Sequence, residues 1–152
     1  MNAPRIAGAL LLAALAACAR SRAASGPPTV RWGEDACDEC HMILSDPRDA
    51  SVARLADGTE LRFDDVGDAA AWFARHPAPG AAVWAHDWET DRWIPAASAR
   101  FVVSPRFATP MGHGVVAVAD AARANALARE NAGQISDWSG LVAAARGALP
   151  RP

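Results

Sequence analysis

Polar and apolar residues alternate most clearly around one turn signal. Residues 50–55 and 60–63 flank Asp57-Gly58, and Leu61 and Phe63 alternate with Glu60 and Arg62. That pattern predicts a hairpin with one buried face. The period then changes. Val66, Ala70 and Phe73 recur at i, i+4 and i+7, Asp64 or Asp65 can cap this helix, and Pro77 ends it. Residues 83–88 and 92–94 read as strands around Glu89-Thr90-Asp91, and residues 30–32 as a further short strand. The second half repeats the order. Strands are expected over 100–103 and 114–118, then a helix from Asp120 to about Asn131, stopped by Gly133. A last helix starts near Asp137, with Trp138, Leu141, Val142 and Ala145 at i, i+3, i+4 and i+7. The reading is an α+β chain of two successive strand–strand–helix units followed by a C-terminal helix. One difference separates the halves. The first hairpin closes on two residues, whereas residues 104–113 form a long loop in the second, and long loops more often carry function.

The first residues break this pattern. A positively charged start is followed by an uninterrupted apolar run over 6–17 that ends at Cys18, too short for a comfortable membrane span. Leu15-Ala16-Ala17-Cys18 has the form of a lipobox. It predicts a lipoprotein signal peptide over 1–17, lipidation of Cys18 and a flexible tether over 18–29, rich in Ser, Ala, Gly and Pro. Several acyl chains anchor stably where one would not. The folded domain is then 30–152, with subunits over about 30–95 and 96–147. The expected location is the periplasmic side of a bacterial membrane, inner or outer.

Composition narrows the classes. At 51% hydrophobic and 21% charged the chain is not intrinsically disordered. Much of the apolar share is Ala, which adds little burial energy. A net charge of −2 gives no basic footprint for nucleic acid. Three Cys are too few for a disulfide scaffold, and with Cys18 as anchor two remain. No Ser-His-Asp arrangement, P-loop or dinucleotide glycine pattern points to an enzyme. Trp84, Trp88 and Trp93 have the spacing of cross-strand packing.

The chemistry gathers in two irregular segments: Cys37-Asp38-Glu39-Cys40-His41-Met42 and Thr109-Pro110-Met111-Gly112-His113-Gly114. Every sulfur atom beyond Cys18 lies in one of them, and neither Met follows a helix or strand period. Thiolate and thioether together are soft ligands that select Cu(I) over harder cations. Cys37, Cys40, Met42 and Met111 are therefore candidate ligands, with His41 and His113 as further candidates and His76 and His86 as structural residues. Three rivals use the same residues. Cys37-x-x-Cys40-His41 has the spacing of c-type haem attachment, with Met111 as distal ligand, in a cytochrome-like electron carrier. Small cytochromes c are helical around the haem, however, and here hairpins follow. A thioredoxin-like redox pair needs a strand before the motif and a helix after it, and Asp38 and Glu39 would raise its thiol pKa. A structural disulfide explains the Cys but not the placement of Met.

These residues resemble a known family. Cys37-x-x-Cys40-His41-Met42 is similar to the Cys-x-x-Cys-x-Met opening of the NosL lipoproteins. Residues 46–54, then Asp57-Gly58 and Phe63-Asp64-Asp65, resemble the family's next stretch. Asp91-Arg92-Trp93-Ile94-Pro95-Ala96 with residues 99–102 resembles its middle, and Pro110-Met111-Gly112-His113-Gly114 its Met-Gly loop. The likeness spans about residues 37–131. It implies two β-β-α-β-like units similar to those of organomercurial lyase. It also implies a monomeric, non-enzymatic copper chaperone. That protein would deliver Cu(I) to nitrous oxide reductase and its assembly machinery in denitrification. Cys40, Met42 and Met111, then Cys37, carry over as ligands, while His41 departs from the Gly often found there.

Overall fold

The computed structural model describes residues 26–148. The expected signal peptide and Cys18 lie outside the described residues. Among those described, no helix is long and apolar enough to cross a membrane.

The chain first builds β1 (Ser51–Arg54) and β2 (Glu60–Phe63), antiparallel with Ser51 opposite Phe63. Their turn closes as its sequence demands. The Asp57 carboxylate accepts the Thr59 N–H at 2.9 Å, and Gly58 takes φ +91°, where a side chain would be strained. Helix α1 (Val66–Arg75) begins where the Asp65 carboxylate accepts the Gly67 N–H at 2.7 Å, satisfying one orphan donor. Strand β3 (Ala82–His86) then takes the free edge of β1, and β4 (Trp93–Pro95) pairs outside it, giving the order β2-β1-β3-β4.

The second unit follows the same path. β5 (Arg100–Val103) and β6 (Val115–Val118) pair antiparallel, and α2 (Ala121–Glu130) is capped by Asp120. β7 (Gln134–Ser136) returns to the free edge of β5, in the order β6-β5-β7. In both units the first strand is central, the second and third flank it, and a helix makes the crossover. Helix α3 (Trp138–Ala148) is the last of the described elements.

Two local expectations need correction. Residues 30–32 form no strand; they lead into a turn in which the Gly33 N–H donates to the Leu44 carbonyl at 2.9 Å. β7 is the strand after the second helix that the family resemblance implies, although its three largely exposed residues carry no readable alternation. Trp88 lies beyond β3, and its N–H donates to the Ala117 carbonyl at 2.9 Å, tying the two units together.

The core explains the remaining pattern. Phe101, Val115 and Ala117 pack toward the first unit with Val66, Ala70, Ala85 and Leu141. Val102, Val116 and Val118 pack toward α2 with Ala124 and Leu127. The second sheet is thus buried on both faces, which is why residues 115–118 read as a continuous apolar run. Trp138 bridges the units, with its ring 5.7 Å from Phe73 of α1 and 5.9 Å from Phe101 of β5. The other tryptophans do not stack on each other. Trp93 meets His86 edge-on at 4.5 Å across the strand pair, whereas Trp88 meets Phe107 at 5.8 Å.

At the entrance to β1, Asp49 is buried and its Oδ1 has no hydrogen-bond partner. Burial, then the negative charges of Asp46 and Asp65, push its carboxyl up to about 6. A carboxyl raised by folding makes the ionised form costly. The native state therefore gains stability as pH falls through about 6, and the gain is complete once the unfolded chain also protonates near pH 4. Asp49→Asn is expected to stabilise the protein by roughly 2 kcal/mol at pH 7 and by almost nothing at pH 4. Urea melts at the two pH values check this; an equal gain at both would place the effect elsewhere.

Candidate metal centre

The cysteine loop is a tight turn closed by an isolated antiparallel bridge between Ala36 and Ile43. The Cys37 N–H donates to the Met42 carbonyl at 2.8 Å, and the His41 N–H donates to the Cys37 carbonyl at 3.0 Å. This closure holds His41 at φ +63°, a left-handed conformation that costs a non-glycine residue roughly 1–2 kcal/mol. The His41 side chain is exposed. Its backbone makes the turn that a glycine makes more easily.

The turn aims backbone donors at one sulfur. Cys37 Sγ accepts the N–H groups of Glu39 and Cys40, each at 3.4 Å. Cys37 is buried among Leu44, Phe63 and Phe73, and its thiol donates to Asp68 Oδ2 at 3.4 Å. The acidic residues inside the motif face elsewhere. Asp38 accepts the Arg62 backbone N–H at 2.7 Å, and Glu39 pairs with Arg75. The carboxylate that meets the thiols comes from α1. The donor atoms of Cys37, Cys40 and Asp68 all lie within 4.8 Å of one another. Burial, and beyond it the Asp68 carboxylate and the Cys37 thiol, push the half-buried Cys40 thiol up to about 12. A metal held by Cys40 would have to displace that proton.

Asp68 faces two ways. Its Oδ1 lies 3.1 Å from His113 Nε2 in the second loop. Burial pushes this carboxyl up, but the hydrogen bonds from His113, Cys40 and Cys37 outweigh burial and hold it below the usual range. The same contact raises His113 against its own burial. Gly67 makes the approach feasible, since a Cβ there would stand 2.2 Å from His113 Cγ.

The second loop is tied to the same helix end. Asp65 Oδ2 accepts the Thr109 hydroxyl at 2.7 Å and the Met111 N–H at 3.2 Å. Thr109 in turn accepts the Gly114 N–H at 3.1 Å. Met42 is 50% exposed and Met111 42% exposed, unusual values for thioethers that otherwise fill cores.

The sequence candidates thus separate. Cys37 and Cys40 come together, and His113 joins them through Asp68. His41 belongs to the turn. Met42 stands at the end of the cysteine loop, and Met111 on a loop held one helical turn from Asp68. His76 ends α1, with its ring 4.6 Å from that of Trp72. Asp68 and the second role of Asp65 escaped the sequence reading. The available signal was a carboxylate at a buried position of an amphipathic helix, three residues beyond its cap. Two of the rival readings lose support. No α-helix starts at the motif, as a thioredoxin-like pair requires, and the Cys37 sulfur, buried against a carboxylate, offers no surface for thioether attachment of a haem.

Fold and site together define a two-unit α+β domain that presents thiol and thioether groups from two loops and a carboxylate from the helix end that ties them. The NosL family profile matches residues 31–145, and the chain belongs to the NosL family. A solved structure shares the fold: the copper chaperone NosL from Shewanella denitrificans, at a TM-score of 0.61 and 16% identity, covering 75% of this chain and 93% of that one. A comparison with curated proteins returns no match.

Proposed function

We propose that this protein is a copper chaperone: a monomeric carrier of Cu(I), not an enzyme, held by lipid on Cys18 at the periplasmic side of a bacterial membrane. Its cargo goes to nitrous oxide reductase and that enzyme's assembly machinery. The observation that carries the reading is the gathering of Cys37, Cys40 and Asp68 within 4.8 Å, with an exposed thioether on each of the two loops tied to the same helix end. Family membership and a fold shared with a protein described as a copper chaperone support it.

The donor set indicates the cargo. Two thiolates and a carboxylate would also suit a borderline cation such as zinc. Thioethers discriminate, because they are soft and need no deprotonation. Cys37 and Cys40 supply thiolate, and Met42 and Met111 close on the ion from the surface, where an acceptor can exchange ligands one at a time. The test is a Cu(I) titration of the reduced, detergent-solubilised full chain against a chromogenic chelator. Wild type is expected to bind Cu(I) at least tenfold tighter than its Met42→Ala, Met111→Ala double variant, with zinc affinity little changed. Equal Cu(I) affinity in the two proteins would sink the proposal.

A further inference from the structure

The geometry points to Asp65 as the positioning residue that sets where Met111 sits, and hence how strongly the site prefers Cu(I). This inference rests on the function proposed above. Asp65 is fully buried, and each of its oxygens has a separate task. Oδ1 accepts the Gly67 N–H at 2.7 Å and caps α1. Oδ2 leaves the helix and accepts both the Thr109 hydroxyl, at 2.7 Å, and the Met111 N–H, at 3.2 Å. The capping bond alone satisfies the ordinary need of a helix start. The second oxygen is used across 44 and 46 residues of sequence to hold a loop.

Asp65 and Asp68 sit three residues apart, on one face of the helix start. Asp68 touches the Cys37 thiol and His113, and Asp65 touches the backbone of Met111. One rigid helix end therefore sets the distance between the two sulfur-bearing loops. Sites are held more accurately by rigid elements than by loops, and partners behind a ligand are typically worth about 10–100-fold in affinity. Met111 itself is 42% exposed, so side-chain packing does little to fix it and the backbone anchor has to.

Asp65→Asn separates the two tasks. The amide oxygen can still cap α1, and Asn is a good cap. The amide NH₂ then faces the Met111 N–H, donor against donor, and the clamp is lost. Thr109→Val removes the other arm without touching the cap. Cu(I) and Zn(II) affinities are measured by chelator competition on the full chain, with each variant in wild-type and Met111→Leu backgrounds. The expected result is about a tenfold loss of Cu(I) affinity in the wild-type background. In the Met111→Leu background no further loss is expected, and zinc affinity should be unchanged in both. A wild-type-like Cu(I) affinity, or the same loss in both backgrounds and for both metals, overturns the proposal. Amide hydrogen exchange at Met111 in the metal-free protein tests the clamp without copper. Faster exchange in both variants supports it, and unchanged exchange overturns it whatever the copper titration says. A wild type that fails to prefer Cu(I) would refute the function while the exchange result still decides the clamp.

Discussion

Cys37→Ser is expected to weaken Cu(I) binding by more than the roughly 10–100-fold typical of groups behind a ligand, while leaving the fold intact. Oxygen is a hard donor, and Cu(I) gains little from it. Loss of folding is not the expected cause. The serine hydroxyl can still donate to Asp68 and accept from Glu39 and Cys40, the three contacts that the sulfur now makes at 3.4 Å each. Cys37→Ala is a harsher change, because it strips a buried carboxylate of one of its donors, and it should lower stability by about 1–3 kcal/mol. The pair of variants separates ligation from structure. Serine should lose metal and keep its melting temperature, and alanine should lose both. The check is a chelator competition run beside a thermal melt. Cu(I) affinity of Cys37→Ser within tenfold of wild type would mean that Cys37 is a structural thiol and that Cys40 carries the site with the thioethers.

Where several local signals agree, the sequence is enough. Helix α1 has its cap at Asp65, an apolar period and a stop at Pro77, and it forms where those three coincide. The first hairpin follows from Asp57-Gly58 and one clean alternation. β7 has no such agreement. It exists because β5 has a free edge once α2 crosses over, which is a fact about the sheet and not about Gln134, Ile135 and Ser136. The two-unit order was legible for a similar reason. Helices α1 and α2 each carry an Asp cap and follow a hairpin, so one folding path serves both halves.

The site divides in the same way. Sulfur is scarce in this chain, so two loops that hold all of it beyond Cys18 stand out. Asp68 does not stand out. An acidic residue in the first turn of a helix is the ordinary response to the helix dipole, and nothing local separates that role from a metal-site role. Only the packing of residue 37 against α1, 31 positions away, gives it the second task. His41 and His113 were equivalent candidates in sequence. The fold distinguishes them by what lies opposite: a turn that needs φ +63° for one, and a buried carboxylate at 3.1 Å for the other.

The same loop holds the position where a single methyl group should matter most. Gly112 and Gly114 flank His113, and both have positive φ, +71° and +63°. A side chain at either pays the left-handed cost of roughly 1–2 kcal/mol. Their surroundings differ. A Cβ at Gly112 would meet nothing within 4 Å, whereas at Gly114 it would stand 2.2 Å from the Ser104 carbonyl oxygen. That oxygen is backbone, and the neighbouring Ser104 N–H donates to the Gly114 carbonyl at 2.8 Å, so neither strand end can yield cheaply. Gly112→Ala is therefore expected to cost about 1 kcal/mol. Gly114→Ala is expected to cost about 3 kcal/mol or more, a fall in melting temperature of roughly 10 °C or more. It should also disturb the metal site, because the Gly114 N–H holds Thr109, and Thr109 holds the Asp65 carboxylate that carries Met111. Thermal melts of the two variants separate strain from clash: similar losses would mean that strained backbone alone accounts for both, and a larger loss at Gly114 with weakened Cu(I) binding would tie the stability of this β-strand entrance to the placement of the thioether.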